Sequence, residues 1–169
     1  MEKYVIFSDL HGDRQSLELL LEQVDQSKIS LFVCSGDVGM ERVRDLLTPL
    51  PLLLVRGNCD FHHPAPPRYA TATFGERVLF VTHGHIIGGW EEAPYPLSSD
   101  DLFISGHTHV AKLIHLPGEP ITLNPGSLSS PRDNSPPSYA LLSSDEIVIK
   151  NLLDGSLLAS LSLTKLSQS

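Results

Sequence analysis

The sequence predicts an α/β protein, a four-layer α/β/β/α sandwich of two mixed β-sheets flanked by helices. Three observations point there. The first third of the chain alternates apolar strand-like runs with amphipathic helical ones, the βαβαβ pattern of a parallel sheet with right-handed crossovers and loops gathered along one edge. The passage holding Pro64, Pro66 and Pro67 is closed to helix and to central strand. Beyond it the runs are short, rich in strand-forming residues and separated by turns, as expected of a second sheet facing the first. At 169 residues the chain is expected to form one domain over 1–169, burying roughly 70% of the surface its unfolded form would expose.

Taken in order, Tyr4-Val5-Ile6-Phe7 is a buried strand that runs into Ser8-Asp9-Leu10-His11-Gly12. On an extended backbone residues i and i+2 point to the same side, so Asp9 and His11 are expected to face one metal together. Asp13 caps the helix that follows, with Leu17, Leu20, Leu21 and Val24 on its apolar face and Glu18, Glu22 and Asp25 off it. Ile29 to Cys34 is the second strand and delivers Asp37 just past its end. Glu41 to Leu47 is a short helix with Val43, Leu46 and Leu47 inward, and Leu52 to Val55 is a third strand leading into Arg56-Gly57-Asn58-Cys59-Asp60.

Later strands are expected at Tyr69 to Phe74, Arg77 to Val81, Leu102 to Ser105, Val110 to Leu116, Pro120 to Leu123, Tyr139 to Leu142, Ile147 to Asn151 and Ser156 to Leu163. Gly75-Glu76 and Ser144-Asp145 read as hairpin turns. Gly88 to Ser99 is an irregular surface loop near the site, whose Trp90 and Tyr95 either pack on the body or stack on substrate. Arg132 to Pro137 is a second loop, and Ser167 to Ser169 a frayed tail.

A net charge of -8, with only 12 Lys and Arg spread along the chain, argues against long nucleic acid and against an anionic membrane surface. The most apolar run, Leu46 to Val55, is broken by Pro49 and Pro51 and is too short to cross a bilayer, so no membrane partner is expected. No basic and apolar leader precedes the first strand. Cys34 and Cys59 are too few for a disulfide framework, and a reduced, cytoplasmic setting is the default expectation. Cys34, at the end of Leu31-Phe32-Val33, reads as a buried thiol. The oligomeric state stays open, a homo-oligomer included.

Histidine placement is the strongest signal. Of eight histidines, four fall in Thr82-His83-Gly84-His85 and Gly106-His107-Thr108-His109, each just after a strand run. Asp9, His11, Asp37 and Asn58 follow three other strand ends. Carboxylate, amide oxygen and imidazole suit Mn, Fe, Zn, Ni or Co, with too much imidazole for Ca or Mg alone. There are more such groups than one ion takes, and they fit two ions sharing a carboxylate, an arrangement suited to phosphoester hydrolysis.

Asp9-x-His11, Gly36-Asp37, Gly57-Asn58-x-Asp60, His83-Gly84 and Gly106-His107-x-His109 closely resemble, in this order, the motifs of the calcineurin-like metallophosphoesterases. With its small size, the Gly-Asn-Cys-Asp variant and Asn124-Pro125-Gly126-Ser127, the chain resembles the YfcE-type branch of small phosphodiesterases over about Lys3 to Leu142. The resemblance implies a dinuclear phosphoesterase, first a phosphodiesterase, hydrolysing a small phosphoester by attack of a metal-bridging hydroxide. It implies that Asp9, His11, Asp37 and His109 hold one ion and Asp37, Asn58, His83 and His107 the other, with Asp37 as the bridge. The cofactors would be two divalent transition-metal ions, Mn foremost. Two divalent cations against two carboxylates leave positive charge for an anionic substrate.

One position departs from the larger family, which has His where this chain has Cys59; that His is held to stabilise the transition state and protonate the leaving oxygen. A thiol with an ordinary pKa of about 8.5 is a poor substitute. The acid is then another residue, His85 before others, or is missing; the competing role for His85 is that of a surface or supporting residue. His62 and His63 read as surface residues. Arg14, Arg56 and Arg132 either reach a substrate phosphate or are solvated surface residues. Asn124 to Ser127 is a tight turn beside the site, with Ser127 supporting the ligands. The rival function is a catalytically weak protein-binding scaffold, as in the retromer subunit that resembles this family, but every expected ligand position is filled here.

Overall fold

Among the described residues, eleven strands and two α-helices follow one another in the order the apolar runs predict: β1 (Tyr4–Phe7), α1 (Arg14–Gln23), β2 (Leu31–Cys34), α2 (Val43–Leu47), β3 (Leu52–Leu54), β4 (Tyr69–Phe74), β5 (Arg77–Thr82), β6 (Leu102–Ile104), β7 (Lys112–Ile114), β8 (Ile121–Asn124), β9 (Ser138–Leu142), β10 (Glu146–Asn151) and β11 (Leu157–Ser162). This computed structural model describes residues 1–39, 43–47, 49–61 and 64–164. Glu41, His62, His63, the side chain of Val43 and the tail from Ser167 to Ser169, each given a role above, lie outside the described residues.

The strands form two mixed sheets. The first has the order β11-β10-β9-β1-β2-β3 and the second β4-β5-β6-β8-β7. β1, β2 and β3 are parallel to one another, as are β5, β6 and β8, and the remaining pairings are antiparallel. β1 shows why the first sheet is central: all four residues are buried, with Tyr4 and Ile6 facing the second sheet and Val5 and Phe7 facing α1. Strands covered on both faces read as continuous apolar runs rather than alternating ones.

Between the sheets, Ile6, Val33, Ala140 and Ile149 meet Leu79, Val81, Ile104, Ile121 and Leu123. On the outer face of the first sheet, Phe7, Phe32 and Cys34 pack against Leu17 and Leu20 of α1 and Leu47 of α2. Asp13 caps α1 as expected, its carboxylate accepting the Ser16 N–H at 3.3 Å. The outer face of the second sheet carries the loop from Gly88 to Ser99 instead of a long helix, with one 3-10 turn at Trp90–Glu92. Tyr95 packs edge-on to Phe80 with ring centroids 5.7 Å apart, so of its two proposed roles this aromatic fills the packing one. Phe74 pairs with Arg77 across the Gly75-Glu76 turn, where Gly75 has φ +58°. Among the described residues no helix is long and apolar enough to cross a membrane.

Candidate metal centre

The carboxyl ends of β1, β2, β3, β5 and β6 open onto one edge of the sandwich, and there the two sheets pool their polar residues. Asp9, Asp37, His83 and His109 form a buried floor, and His11, Asn58 and His107 stand exposed above it. His109 Nε2 lies 3.2 Å from Asp9 Oδ1 and 3.2 Å from His11 Nε2. His11 Nε2 is 3.7 Å from both Asp9 Oδ1 and Asp37 Oδ2. On the other side His83 Nε2 lies 3.2 Å from Asp37 Oδ2 and 3.0 Å from Asn58 Oδ1, which is itself 3.1 Å from His107 Nδ1. All seven residues named as ligands from the sequence therefore meet in one place, with Asp37 Oδ2 between the two groups.

The donor set fits cations. Asp9 Oδ1 is fully buried and has no hydrogen-bond donor, although Asp9 Oδ2 accepts from Ser8 Oγ at 2.8 Å and from the His107 N–H at 3.0 Å. A buried carboxylate oxygen left without a donor is costly unless a positive charge faces it. His83 and His109 turn Nδ1 to the carbonyls of Ser35 and Ser130, at 2.7 and 2.6 Å. With the Nδ1 proton committed there, each Nε2 presents a bare lone pair towards oxygen atoms that can only accept, and a metal ion resolves that contact. Without metal the proton does the same work. Burial alone would push the His83 imidazole down, but the Asp37 and Asp9 carboxylates and its bond to Ser35 push it up. Burial likewise pushes the Asp37 carboxyl up, yet His83 and the Cys59 N–H outweigh it and hold it at about 2.

The expected route by which Asp9 and His11 come together is corrected by the backbone. Strand β1 ends at Phe7, and Asp9 and His11 are left-handed, with φ of 53° and 48°, so strand alternation does not align them. Asp37, His107 and His109 are left-handed too, at 54°, 70° and 61°. Such backbones cost roughly 1–2 kcal/mol for each residue with a Cβ. Hydrogen bonds across the loops impose them: Asp9 N–H donates to Gly36 O, His11 N–H to Asp37 O and Gly12 N–H to Val38 O, at 3.0, 3.0 and 2.8 Å.

The chain matches the calcineurin-like phosphoesterase superfamily domain over residues 3–146. The chain belongs to that superfamily. Its members are metal-dependent phosphoester hydrolases, and one relative locates it further. Phosphodiesterase YfcE of Escherichia coli K12 is 32% identical, over 94% of this chain and 97% of that protein. The solved structure of YfcE, a phosphoesterase from E. coli, superposes with a TM-score of 0.81 at 30% identity, over 95% of this chain and 99% of that one. Vps29 of Entamoeba histolytica in complex with Zn2+ superposes with a TM-score of 0.73 over 95% of this chain and 99% of its own, but at 23% identity this likeness speaks for the fold alone.

Around the superfamily motifs the structure shows supporting residues to which the sequence reading assigned no role. Asp60, 1% exposed, accepts the N–H groups of Asp37, Val38, Gly39 and Gly57 at 2.9, 3.0, 3.3 and 2.8 Å, clasping the loop after β2 to the loop after β3. Gly57 is required by the same clasp, because a Cβ there would overlap the backbone N and Oδ1 of Asp37. Ser127 does support the ligands: its hydroxyl donates to Asp9 O at 2.8 Å and accepts the Ser129 and Ser130 N–H groups, and Ser130 holds His109. Gly57-Asn58-x-Asp60 signals a motif in the sequence but carries no sign of a four-bond clasp, since three of its partners, Asp37, Val38 and Gly39, lie 23, 22 and 21 residues away.

The remaining named residues separate. His85 is exposed, its ring centroid 5.3 Å from that of His83 and 6.1 Å from that of His107. Burial and the neighbouring His83 and His107 charges lower its pKa. Cys59 is exposed beside Asp37, and burial of its thiol together with the Asp37 carboxylate raises its pKa, so it stays a neutral thiol at neutral pH. Arg14 pairs with Glu18 at 2.7 Å on the surface of α1 and does not join the centre. Arg132 donates its backbone N–H to His109 O, and among the described residues its guanidinium makes no hydrogen bond or ion pair with the centre. Arg56 lines a cleft next to Asn58, together with Arg68, which the sequence reading did not single out.

Proposed function

We propose that this chain is a dinuclear metal-dependent phosphoesterase, a phosphodiesterase before a monoesterase, in which residues 1–169 act as one domain on small phosphoesters. The observation that carries this reading is Asp9 Oδ1, buried without a donor and faced by imidazole nitrogens of His109, His11 and His83 at 3.2, 3.7 and 3.8 Å. Asp9, His11, Asp37 and His109 would hold one ion and Asp37, Asn58, His83 and His107 the other. Mn is the first candidate, with Fe, Zn, Ni and Co compatible with the same nitrogen and oxygen set. Such a pair supplies Lewis acidity to the phosphoryl oxygens and a water acidic enough to serve as nucleophile near neutral pH.

The chain's own residues do the rest. Asp37 keeps both groups in register, because its Oδ1 is tied to the Cys59 N–H at 2.8 Å and leaves Oδ2 towards His11 and His83. His83 and His109 are oriented by their carbonyl partners, and the exposed Asn58 and His107 leave the solvent side open to an ester. A ring nitrogen of His85 is the available proton donor for the leaving oxygen. Its lowered pKa makes the protonated form scarce at neutral pH. Esters with good leaving groups, such as nitrophenyl esters, should therefore outrun simple alkyl esters, and equal turnover of both would contradict this account of Cys59 and His85.

The test is an activity screen of metal-stripped chain, reloaded ion by ion, against phosphomonoesters and phosphodiesters, with bound metal counted by elemental analysis. Two ions per chain and diester hydrolysis restored by Mn is the expected outcome. No hydrolysis with any ion would overturn the reading in favour of a catalytically weak binding scaffold.

A further inference from the structure

Beside the centre lies a cleft that the metal assignment leaves without a role. It encloses about 220 Å³ and is lined by Arg56, Gly57, Asn58, Arg68, His85 and Ile86. Asn58 belongs to both spaces: its Oδ1 faces His83 and His107, so the cleft opens directly onto the centre. Arg56 follows β3 and Arg68 precedes β4, and the main chain brings the two segments together, the Arg56 N–H donating to Pro67 O at 2.8 Å. Arg68 O in turn accepts from Thr82 Oγ1 at 3.4 Å, one residue before His83.

Among the described residues neither guanidinium has a carboxylate within ion-pair distance, whereas Arg14 and Arg77 pair with Glu18 and Asp100 at 2.7 and 3.7 Å. In a chain of net charge -8, two cations sharing one cleft without an acidic partner are a local reversal of sign. Asp60, the nearest acid in the motif, is buried and spends both oxygens on backbone N–H groups. Ile86, 52% exposed, adds an apolar wall. Guanidinium pairs bind oxyanions in fork geometry, and an apolar side chain lining the same cleft suits the carbon part of a substrate.

We propose that this cleft is a binding site for a second oxyanion of the substrate, carboxylate or phosphate, held by Arg56 and Arg68 while the ester phosphorus lies at the metal centre. The inference rests on the phosphoesterase reading and narrows its substrate class to phosphoesters whose organic group carries a further negative charge.

Calorimetric titration of the Mn-loaded chain with phenylphosphonate, 4-phosphonobenzoate and benzene-1,4-diphosphonate tests it without turnover. Wild type should bind the two ligands that carry a second oxyanion group about tenfold or more tightly than phenylphosphonate, as charge-assisted hydrogen bonds to that group require. The carboxylate and diphosphonate arms show which oxyanion is preferred. In Arg56→Gln/Arg68→Gln that advantage should vanish while phenylphosphonate affinity stays within about twofold, which also shows that the variant folds. No advantage in wild type, an advantage that survives the double substitution, or equal loss on all three ligands would each overturn the proposal. Hydrolysis of nitrophenyl phosphoesters by the same wild-type preparation judges the phosphoesterase reading separately: its absence with the binding advantage intact overturns the hydrolase and leaves the oxyanion site standing.

Discussion

The floor of the centre and its rim are held in opposite ways. Asp9, Asp37, His83 and His109 are buried, four of their ring or carboxylate atoms are pinned by neighbouring groups, and all four sit on loops joined in pairs by backbone bonds. Cys59, His85 and Arg68 at the rim are exposed, and the Cys59 thiol receives a 3.5 Å approach from Asn58 Nδ2. Orientation is enforced where ions need fixed donors, and left loose where the organic part of a ligand would sit. Damage to the floor should therefore remove function and metal together, while damage to the rim should change which ligands are handled.

The largest effect should come from Asp37→Ala. If Asp37 bridges two ions as proposed, its loss is expected to lower turnover by about 10⁴-fold or more and to leave at most one tightly bound ion per chain. Two tightly held ions in that variant, by elemental analysis, would break the distinction at its centre. Asp60→Asn comes next. It touches no proposed ion, but an amide cannot accept four N–H bonds on two oxygens, so stability should fall by about 3 kcal/mol in urea unfolding, with metal affinity falling alongside. Unchanged metal affinity would show that the clasp serves the fold alone.

At the rim, His85→Gln should cost about 10²-fold in kcat on alkyl esters and little on nitrophenyl esters, whose leaving groups need no proton. In wild type the alkyl activity should rise as pH falls towards mildly acidic values, because the lowered pKa leaves little protonated His85 at neutral pH. Equal losses on both ester classes would make His85 a packing residue. The smallest effect concerns the metal-free chain. Asp37 at about 2, against an ordinary 3.8, stabilises the fold above about pH 4 and loses that contribution as pH falls. His83, raised above its ordinary 6.5, contributes below about 6.5 and loses that contribution as pH rises past its folded value. Thermal melts of stripped protein should peak between those limits, and metal should move the optimum upward, since it takes neutral imidazole.

Much of this was legible in the chain. The apolar runs that predict eleven strands are local signals, and each strand lies within a few residues of its run, with the ends of β2, β7 and β11 shortened because edge and turn hydrogen bonds set them. Asp9, His11, Asp37, Asn58, His83, His107 and His109 stand out because each follows a strand run, and strand ends in such sheets gather at one edge. The left-handed backbones were not legible, because Asp and His, although more often left-handed than most residues with a Cβ, adopt that region in a minority of cases and occupy it here under cross-loop bonds.

By itself the sequence determined which strands form, the chemistry of the donor set and the family, all of which depend on residue types at short spacing. Tertiary structure alone decided that Asp9 Oδ1 is orphaned, that Asp60 is a clasp rather than a ligand, and that Arg56 and Arg68 share a cleft while Arg14 turns away. Those outcomes depend on which segments become neighbours, as Asp9 and His107 do at 3.0 Å across 98 positions of chain, and no local pattern encodes a contact at that separation.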